Sequence, residues 1–212
     1  MIPNRPFRPA PQNARDRLLE AGVKLIRAQG FSATSVGELC AEAGVTKGAF
    51  FHHFASKEAL GAELAAYWSR STSGFFSDAP FRQIEDPVER LLGYLDLRIA
   101  LIGGPAEGFS CVAGTMIQES FRTSEPIRAA CRDSILGNAD LFVEDFAEAI
   151  ETYGLDADAK SLSLHMQVVI QGAFILAKTQ DSDDAAAAMA RDSLIHLKRY
   201  LGLLFGKKET RQ

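Results

Sequence analysis

The stretch Thr34–Phe54, TSVGELCAEAGVTKGAFFHHF, decides the fold of this chain. Ser35 stands three residues before Glu38, the spacing of a capping box, so a helix is expected to begin there. Val36, Leu39, Cys40 and Ala43 then recur at helical spacing and give one apolar face. Gly44 follows, where a helix end favours a residue free to take positive φ. Val45 is the apolar turn residue, and Thr46 can cap a second helix through Lys47, Gly48, Ala49, Phe50, Phe51, His52 and His53. Two helices joined by a short Gly-containing turn form the helix-turn-helix unit, whose second helix enters the DNA major groove. Thr46 to Ala49 put small and basic groups at that helix's N-terminus, where orphan N–H groups and the helix dipole favour a phosphate. Ala49 can touch a thymine methyl, and His52 and His53 add donors one turn on. An ordinary surface helical hairpin is the other reading of the same pattern.

Working outward, the first helix is expected over Asn13 to Gln29, with Leu18, Ala21, Gly22, Leu25 and Ile26 as its inner stripe and Gly30 ending it. It should pack across the helical pair, and Phe31, Phe50 and Phe54 should complete that core. Ser56 opens a fourth helix carrying Leu60, Leu64, Tyr67 and Trp68 to about Phe75. This helix links head to body and is a candidate two-state hinge. Met1 to Gln12 holds four prolines and is expected to be a disordered tail. Arg5 and Arg8 in it can reach a minor groove, or have no role.

The run from Arg17 to Leu60 resembles the N-terminal domain of the TetR family of bacterial transcriptional repressors. The matching segments are RLLEAGVKLIRAQGF, TSVGELCAEAGVTKGAFFHHF and SKEAL. The resemblance implies a three-helix DNA-binding head. Thr34, Ser35, Thr46, Lys47, Gly48, Ala49, Phe51, His52, His53 and Lys57 are the expected DNA-binding residues. Two positions depart from the family. Phe51 stands where Tyr is usual, so a phosphate-reaching hydroxyl is missing. Gly22 stands where Ala is usual, at an expected cost of about 1 kcal/mol.

The chain has 212 residues and a net charge of −4. Residues 1–60 hold eight Lys/Arg against five Asp/Glu, net +3, whereas 61–212 hold fifteen against twenty-two, net −7. The head can approach a polyanion that the body repels. Cys40, Cys111 and Cys131 form no CxxC pair, which argues against a disulfide framework or zinc knuckle and fits a reducing cytoplasm. No stretch approaches the length of a membrane span, and no signal peptide is expected.

Beyond the fourth helix, Asp86-Pro87 is an N-cap followed by Pro at the first helical position, and that helix stops at Gly103-Gly104-Pro105. Cys111 to Phe121 is a further apolar segment, and one long helix is expected from about Ile127 to Tyr153. The last two helices span about Asp158 to Lys178 and Ser182 to Phe205. The former is apolar over more than one stripe and should be buried on two sides. Val168, Gly172, Ile175, Leu194, Leu197 and Leu201 are the expected dimerisation residues. Both helices can instead simply close the monomer core; the family resemblance implies a homodimer, which a palindromic operator needs. The expected fold is all-α with about nine helices. Residues 13–60 form the DNA-binding domain and 61–212 a helical effector-binding and dimerisation domain.

The segment Gly108 to Glu119, GFSCVAGTMIQE, together with Gln171 to Lys178, QGAFILAK, resembles a branch of the same family that includes acrylate-responsive and N-ethylmaleimide-responsive repressors. Cys111, Gly114, Gln118 and Glu119 match its signature, while Ser110 and Thr115 replace a Gly and an Asn. In that branch the cysteine can sit beside the effector pocket and in some members reacts with electrophiles. A cysteine near a helix N-terminus favours the thiolate, though a buried, inert cysteine fits the same position. Trp68, Leu95, Arg98, Cys111, Met116, Gln118, Phe142, His165 and Met166 are the candidate effector residues, each also readable as plain core. Arg98 can pair with an anionic effector or with a neighbouring carboxylate such as Glu119.

No GxSxG, HExxH, P-loop or GxGxxG is present, and adjacent His52 and His53 cannot face one metal, so neither catalysis, cofactor nor metal is expected. The sequence points to a DNA-binding regulator, homodimeric on a palindromic operator and answering to a small-molecule effector. A helical dimeric protein-interaction module without DNA reading is the alternative.

Overall fold

A computed structural model describes residues 13–207; Arg5, Arg8 and the rest of the expected tail lie outside the described residues. Eleven α-helices and no strand occur among the described residues. They are α1 (Ala14–Gln29), α2 (Val36–Ala43), α3 (Lys47–His53), α4 (Lys57–Ser77), α5 (Pro87–Leu101), α6 (Ala106–Phe109), α7 (Val112–Ser120), α8 (Glu125–Asp140), α9 (Val143–Tyr153), α10 (Ala159–Ala177) and α11 (Asp183–Leu204). A 3-10 turn, Pro80–Gln83, occupies the loop before α5. Most helices start where a side chain satisfies an orphan N–H: Asn13, Ser35, Thr46, Asp86, Asp158 and Ser182 each accept from the first turn of their own helix.

The expected long helix over 127–153 is two helices, α8 and α9, broken at Leu141 and Phe142. The Phe142 N–H bonds back only three residues, to Ala139 O at 3.0 Å, and the Leu141 carbonyl accepts from Arg82 at 3.3 Å. Phe142 is thereby turned fully inward, its ring centroid 4.1 Å from that of Tyr94. Tertiary packing, not a local breaker, ends α8.

Two compact units divide the chain. The first runs to Gly74 and takes up Ser110–Gly137; the second is Phe75–Phe109 together with Asn138 onward. The first unit's core gathers Leu18, Val23, Leu39, Phe50, Leu60 and Trp68, with Val112, Met116 and Cys131 contributed by α7 and α8. Gly22 lies where α1 approaches α4: a Cβ there would meet the Leu64 side chain. The glycine therefore answers a packing need, and the expected simple loss of helix propensity is not its whole account.

In the second unit, α5, α9, α10 and α11 pack on one another around Tyr94, Phe142 and Phe146. Buried Asp145 ties α9 to both the 3-10 turn and α5, accepting from Arg82 Nη1 at 2.5 Å and Arg90 Nε at 2.6 Å. Asp86, at the start of α5, accepts from Lys207 Nζ at 2.8 Å and from the Tyr153 hydroxyl. Burial pushes the Asp86 carboxyl up, but the hydrogen bonds from Lys207, Tyr153 and the Glu89 N–H outweigh it and bring its pKa down to about 2.

Candidate nucleic-acid interface

The interface is built from local capping. Ser35 accepts the Glu38 N–H at 3.2 Å while the Glu38 carboxylate accepts the Ser35 N–H at 2.8 Å, closing the capping box at the start of α2. The Ser35 N–H first, then the Ser35 and Gln29 side chains, hold the Glu38 carboxyl below the usual carboxylate range. Gly44 ends α2 in the left-handed region at φ 63°, and Arg17 Nε reaches across from α1 to the Ala43 carbonyl at 3.1 Å. The chain then turns into α3, whose N-cap Thr46 accepts the Ala49 N–H at 3.1 Å.

With the turn set in this way, α3 buries Phe50, and Phe54 just beyond it, against the core. Its opposite face carries Thr46, Lys47, Gly48, Phe51 and His52, all exposed, with Ala49 and His53 half-buried. Phe51 is 58% exposed, an apolar ring on a face that is otherwise small, basic or imidazole. The His52 and His53 rings meet edge to face at 4.9 Å between centroids. An exposed helix with small residues and a lysine at its first turn admits close backbone approach to a phosphate chain and leaves Lys47 to contact it.

Two of the expected DNA-binding residues face inward instead of outward. Thr34 is 1% exposed and donates its hydroxyl to the Gly30 carbonyl at 2.7 Å. Lys57 Nζ donates to the carbonyls of Phe31, Ser32 and Thr34 at 3.0, 3.3 and 2.9 Å. Ser35 is exposed, with its oxygen engaged in the capping box.

The candidate effector residues fall in both units. In the first, Trp68 and Met116 are buried in the core, and the Arg27 guanidinium lies 5.1 Å from the Trp68 ring centroid. Cys111 is half-buried as the N-cap of α7, its Sγ accepting the Gly114 N–H at 3.4 Å, while Gln118 is exposed and donates to the Gly114 carbonyl. Burial is the main cause pushing the Cys131 thiol up to about 12, with Cys111 adding to it, and Cys40 is raised by burial too. In the second unit Leu95, Phe142 and Met166 are core residues. Arg98 lies 4.4 Å from the Phe76 ring centroid and donates from Nε to the Tyr94 hydroxyl at 2.8 Å. The suggested Glu119 partner is otherwise engaged, accepting the backbone N–H groups of Phe31 and Ser32. His165 is exposed, its ring 5.5 Å from that of Tyr200.

Of the expected dimerisation residues, Leu194, Leu197 and Leu201 fill the core of their own unit. Val168 and Ile175 are exposed and Gly172 is half-buried. The exposed apolar set continues through Leu176 on α10 and Tyr200 and Leu203 on α11, with Val168 at 66% and Leu203 at 73%. Among the described residues, no group of three His, Cys, Asp or Glu side chains could hold a metal, and no helix is long and apolar enough to cross a membrane.

Comparison with known proteins agrees with this architecture. Residues 18–64 match the profile of bacterial regulatory proteins of the tetR family, and residues 87–192 match that of the transcriptional regulator LmrA/YxaF-like C-terminal domain. The latter is a grouping that the partial signature around Cys111 does not single out. The chain is 24% identical over 168 residues to the HTH-type transcriptional regulator LmrA of Bacillus subtilis, covering 79% of this chain and 87% of LmrA. It is 31% identical over 140 residues to the HTH-type transcriptional repressor DhaR of a Mycobacterium species, covering 64% and 65%. A cysteine mutant of the TetR family regulator CifR, complexed with 26-bp double-strand operator DNA, shares the fold with a TM-score of 0.69 at 20% identity, over 89% of this chain and 98% of that one. With head and body each matched, the chain belongs to the TetR family of bacterial regulatory proteins and is a DNA-binding transcriptional regulator, not an enzyme.

Proposed function

We propose that the protein is a repressor that binds a palindromic operator as a homodimer, with α3 of each protomer reading one half-site, and is released by a small-molecule effector or by modification of Cys111. The observation that carries the DNA reading is the exposed face of α3: Lys47, Gly48 and Ala49 at a capped first turn, on a helix whose other face is locked by Phe50. That CifR is seen with operator DNA, and that DhaR is named a repressor, supports the same assignment for this chain.

The homodimer is supported by the apolar residues left exposed on α10 and α11. Val168, Ile175, Leu176, Tyr200 and Leu203 recur at helical spacing, and the 5.5 Å contact of His165 with Tyr200 joins the two stripes into one face. A palindromic site matches such a two-fold pair. DNA and effector affinities are then reciprocally linked: whatever weakens the DNA-competent state on binding is itself bound less tightly in the presence of operator.

The test pairs two variants. Lys47→Ala removes one phosphate contact from each protomer, two per dimer, so it should weaken operator binding and make the slope of log K against log salt shallower by about 1.8. Leu203→Glu should yield a folded monomer by light scattering with weakened operator binding. A wild-type protein that is monomeric at micromolar concentration, or Lys47→Ala binding with unchanged affinity and slope, would sink the reading.

A further inference from the structure

Glu119, near the end of α7, turns its carboxylate onto the α1–α2 turn, accepting the Phe31 N–H at 3.1 Å and the Ser32 N–H at 2.7 Å. From the other side the Lys57 ammonium takes the carbonyls of Phe31, Ser32 and Thr34, and lies 4.6 Å from the Phe31 ring centroid. A carboxylate thus holds the turn's donors while an ammonium holds its acceptors. The backbone is shaped to admit the carboxylate: Gly30 sits at φ +92°, and a Cβ there would collide with Glu119. Next to this, Ser124 at the head of α8 donates to Glu58 beside Lys57, tying α8 to the start of α4. The turn leads directly into Ser35, the N-cap of α2, and α2 carries α3 through Gly44 and Thr46.

We propose that Glu119 and Lys57 form a two-sided clamp on the α1–α2 turn, which makes α7 a positioning element for the DNA-reading helices. Glu119 is the positioning residue and touches no DNA itself. The helix it ends begins at the Cys111 N-cap, so a displacement of that end is carried along the nine residues of α7 to the turn. The DNA readout of this clamp rests on operator binding by α3; its backbone readout does not.

The test uses the full chain and Glu119→Gln, whose amide offers one acceptor where two are needed. Amide hydrogen exchange should speed up at least tenfold at Phe31 and Ser32, with protection retained at Leu18 and Ile26. Affinity for the duplex that wild type selects from a random-sequence pool should fall about tenfold. The salt slope should not change, because no phosphate contact is lost. Loss of a negative charge alone acts in the opposite direction and tightens DNA binding. Unchanged or tighter binding therefore overturns the clamp, and so does unchanged exchange at the two amides. If Glu119→Gln loses protection throughout α1, Lys57→Met opens the other jaw and must show the same local increase. If wild type selects no duplex, the operator reading fails, and the exchange at Phe31 and Ser32 still decides the clamp.

Discussion

Replacing Asp145 by Asn should cost the protein about 3 kcal/mol. The Asp145 side chain is 9% exposed, and its two oxygens face separate guanidinium groups, Arg82 at 21% and Arg90 at 14%. Arg90 keeps a second carboxylate, Glu148, and the Ile84 carbonyl. Among the described residues, Arg82 keeps only carbonyls, of Phe76 and Leu141, and the faces of Phe81 and Phe142, whose centroids are 5.0 and 4.6 Å from its Cζ. The substitution therefore leaves a half-buried cation without an acid, and removing one partner of such a pair costs about 3–5 kcal/mol. The low end applies because the Asn oxygen still accepts one bond. Against a typical total of about 5–15 kcal/mol this is a large fraction. Urea unfolding followed by far-UV circular dichroism should give a lower midpoint at unchanged slope. A loss under about 1 kcal/mol, the range of an exposed ion pair, would refute the claim that this carboxylate locks α9 to α5. The double variant Arg82→Met with Asp145→Leu should recover much of the loss, since it strands no charge.

Gly22→Ala should not deliver the roughly 1 kcal/mol that helix propensity alone promises, because the new methyl displaces the fully buried Leu64. A melting temperature unchanged or lowered is the expected result, and a clear rise would contradict the packing argument. Asp86 contributes to acid behaviour. Its folded pKa of about 2 lies below the ordinary carboxylate value near 3.9, so the unfolded state binds more protons between these limits. Its contribution is fully present above about pH 4 and is lost as pH falls towards 2. Lys207 is raised, by the Asp86 hydrogen bond first, so its share is complete below the ordinary lysine value and is lost only as pH climbs past its own raised pKa. Stability measured from pH 2 to 5 should rise less steeply in Asp86→Asn than in wild type.

The helix ends of the head were legible because the chemistry that sets them is local. Ser35 with Glu38, Thr46 before Lys47 and Gly44 after Ala43 lie within four residues of what they cap, and the structure has each in that role. The same holds for Asp86, Asp158 and Ser182 in the body. The break at Phe142 was not legible, since neither Pro nor Gly marks it. It arises from a hydrogen bond between Arg82 and Leu141, 59 positions apart, and from the ring cluster around Tyr94. Periodicity placed Leu194, Leu197 and Leu201 on one face of α11 correctly, but it cannot say whether that face meets the same protomer's core or another copy. The site divides the same way. The exposure of Lys47, Gly48 and Phe51 follows from the amphipathic pattern of α3. The inward turn of Thr34 and Lys57 does not, because it depends on carbonyls freed at the α1–α2 turn. Glu119 was visible as part of a signature, yet its partners lie 88 and 87 positions away, and no spacing rule reaches so far.

DNA reading by α3 is tested most directly by footprinting the purified protein on the DNA upstream of its own gene, over rising salt. A DNA-reading α3 gives a protected inverted repeat whose occupancy falls steeply between about 50 and 200 mM salt, as expected for a regulator making several phosphate contacts. Random-sequence selection that yields no preferred duplex, with no protection upstream even at low salt, would contradict the claim that α3 reads DNA.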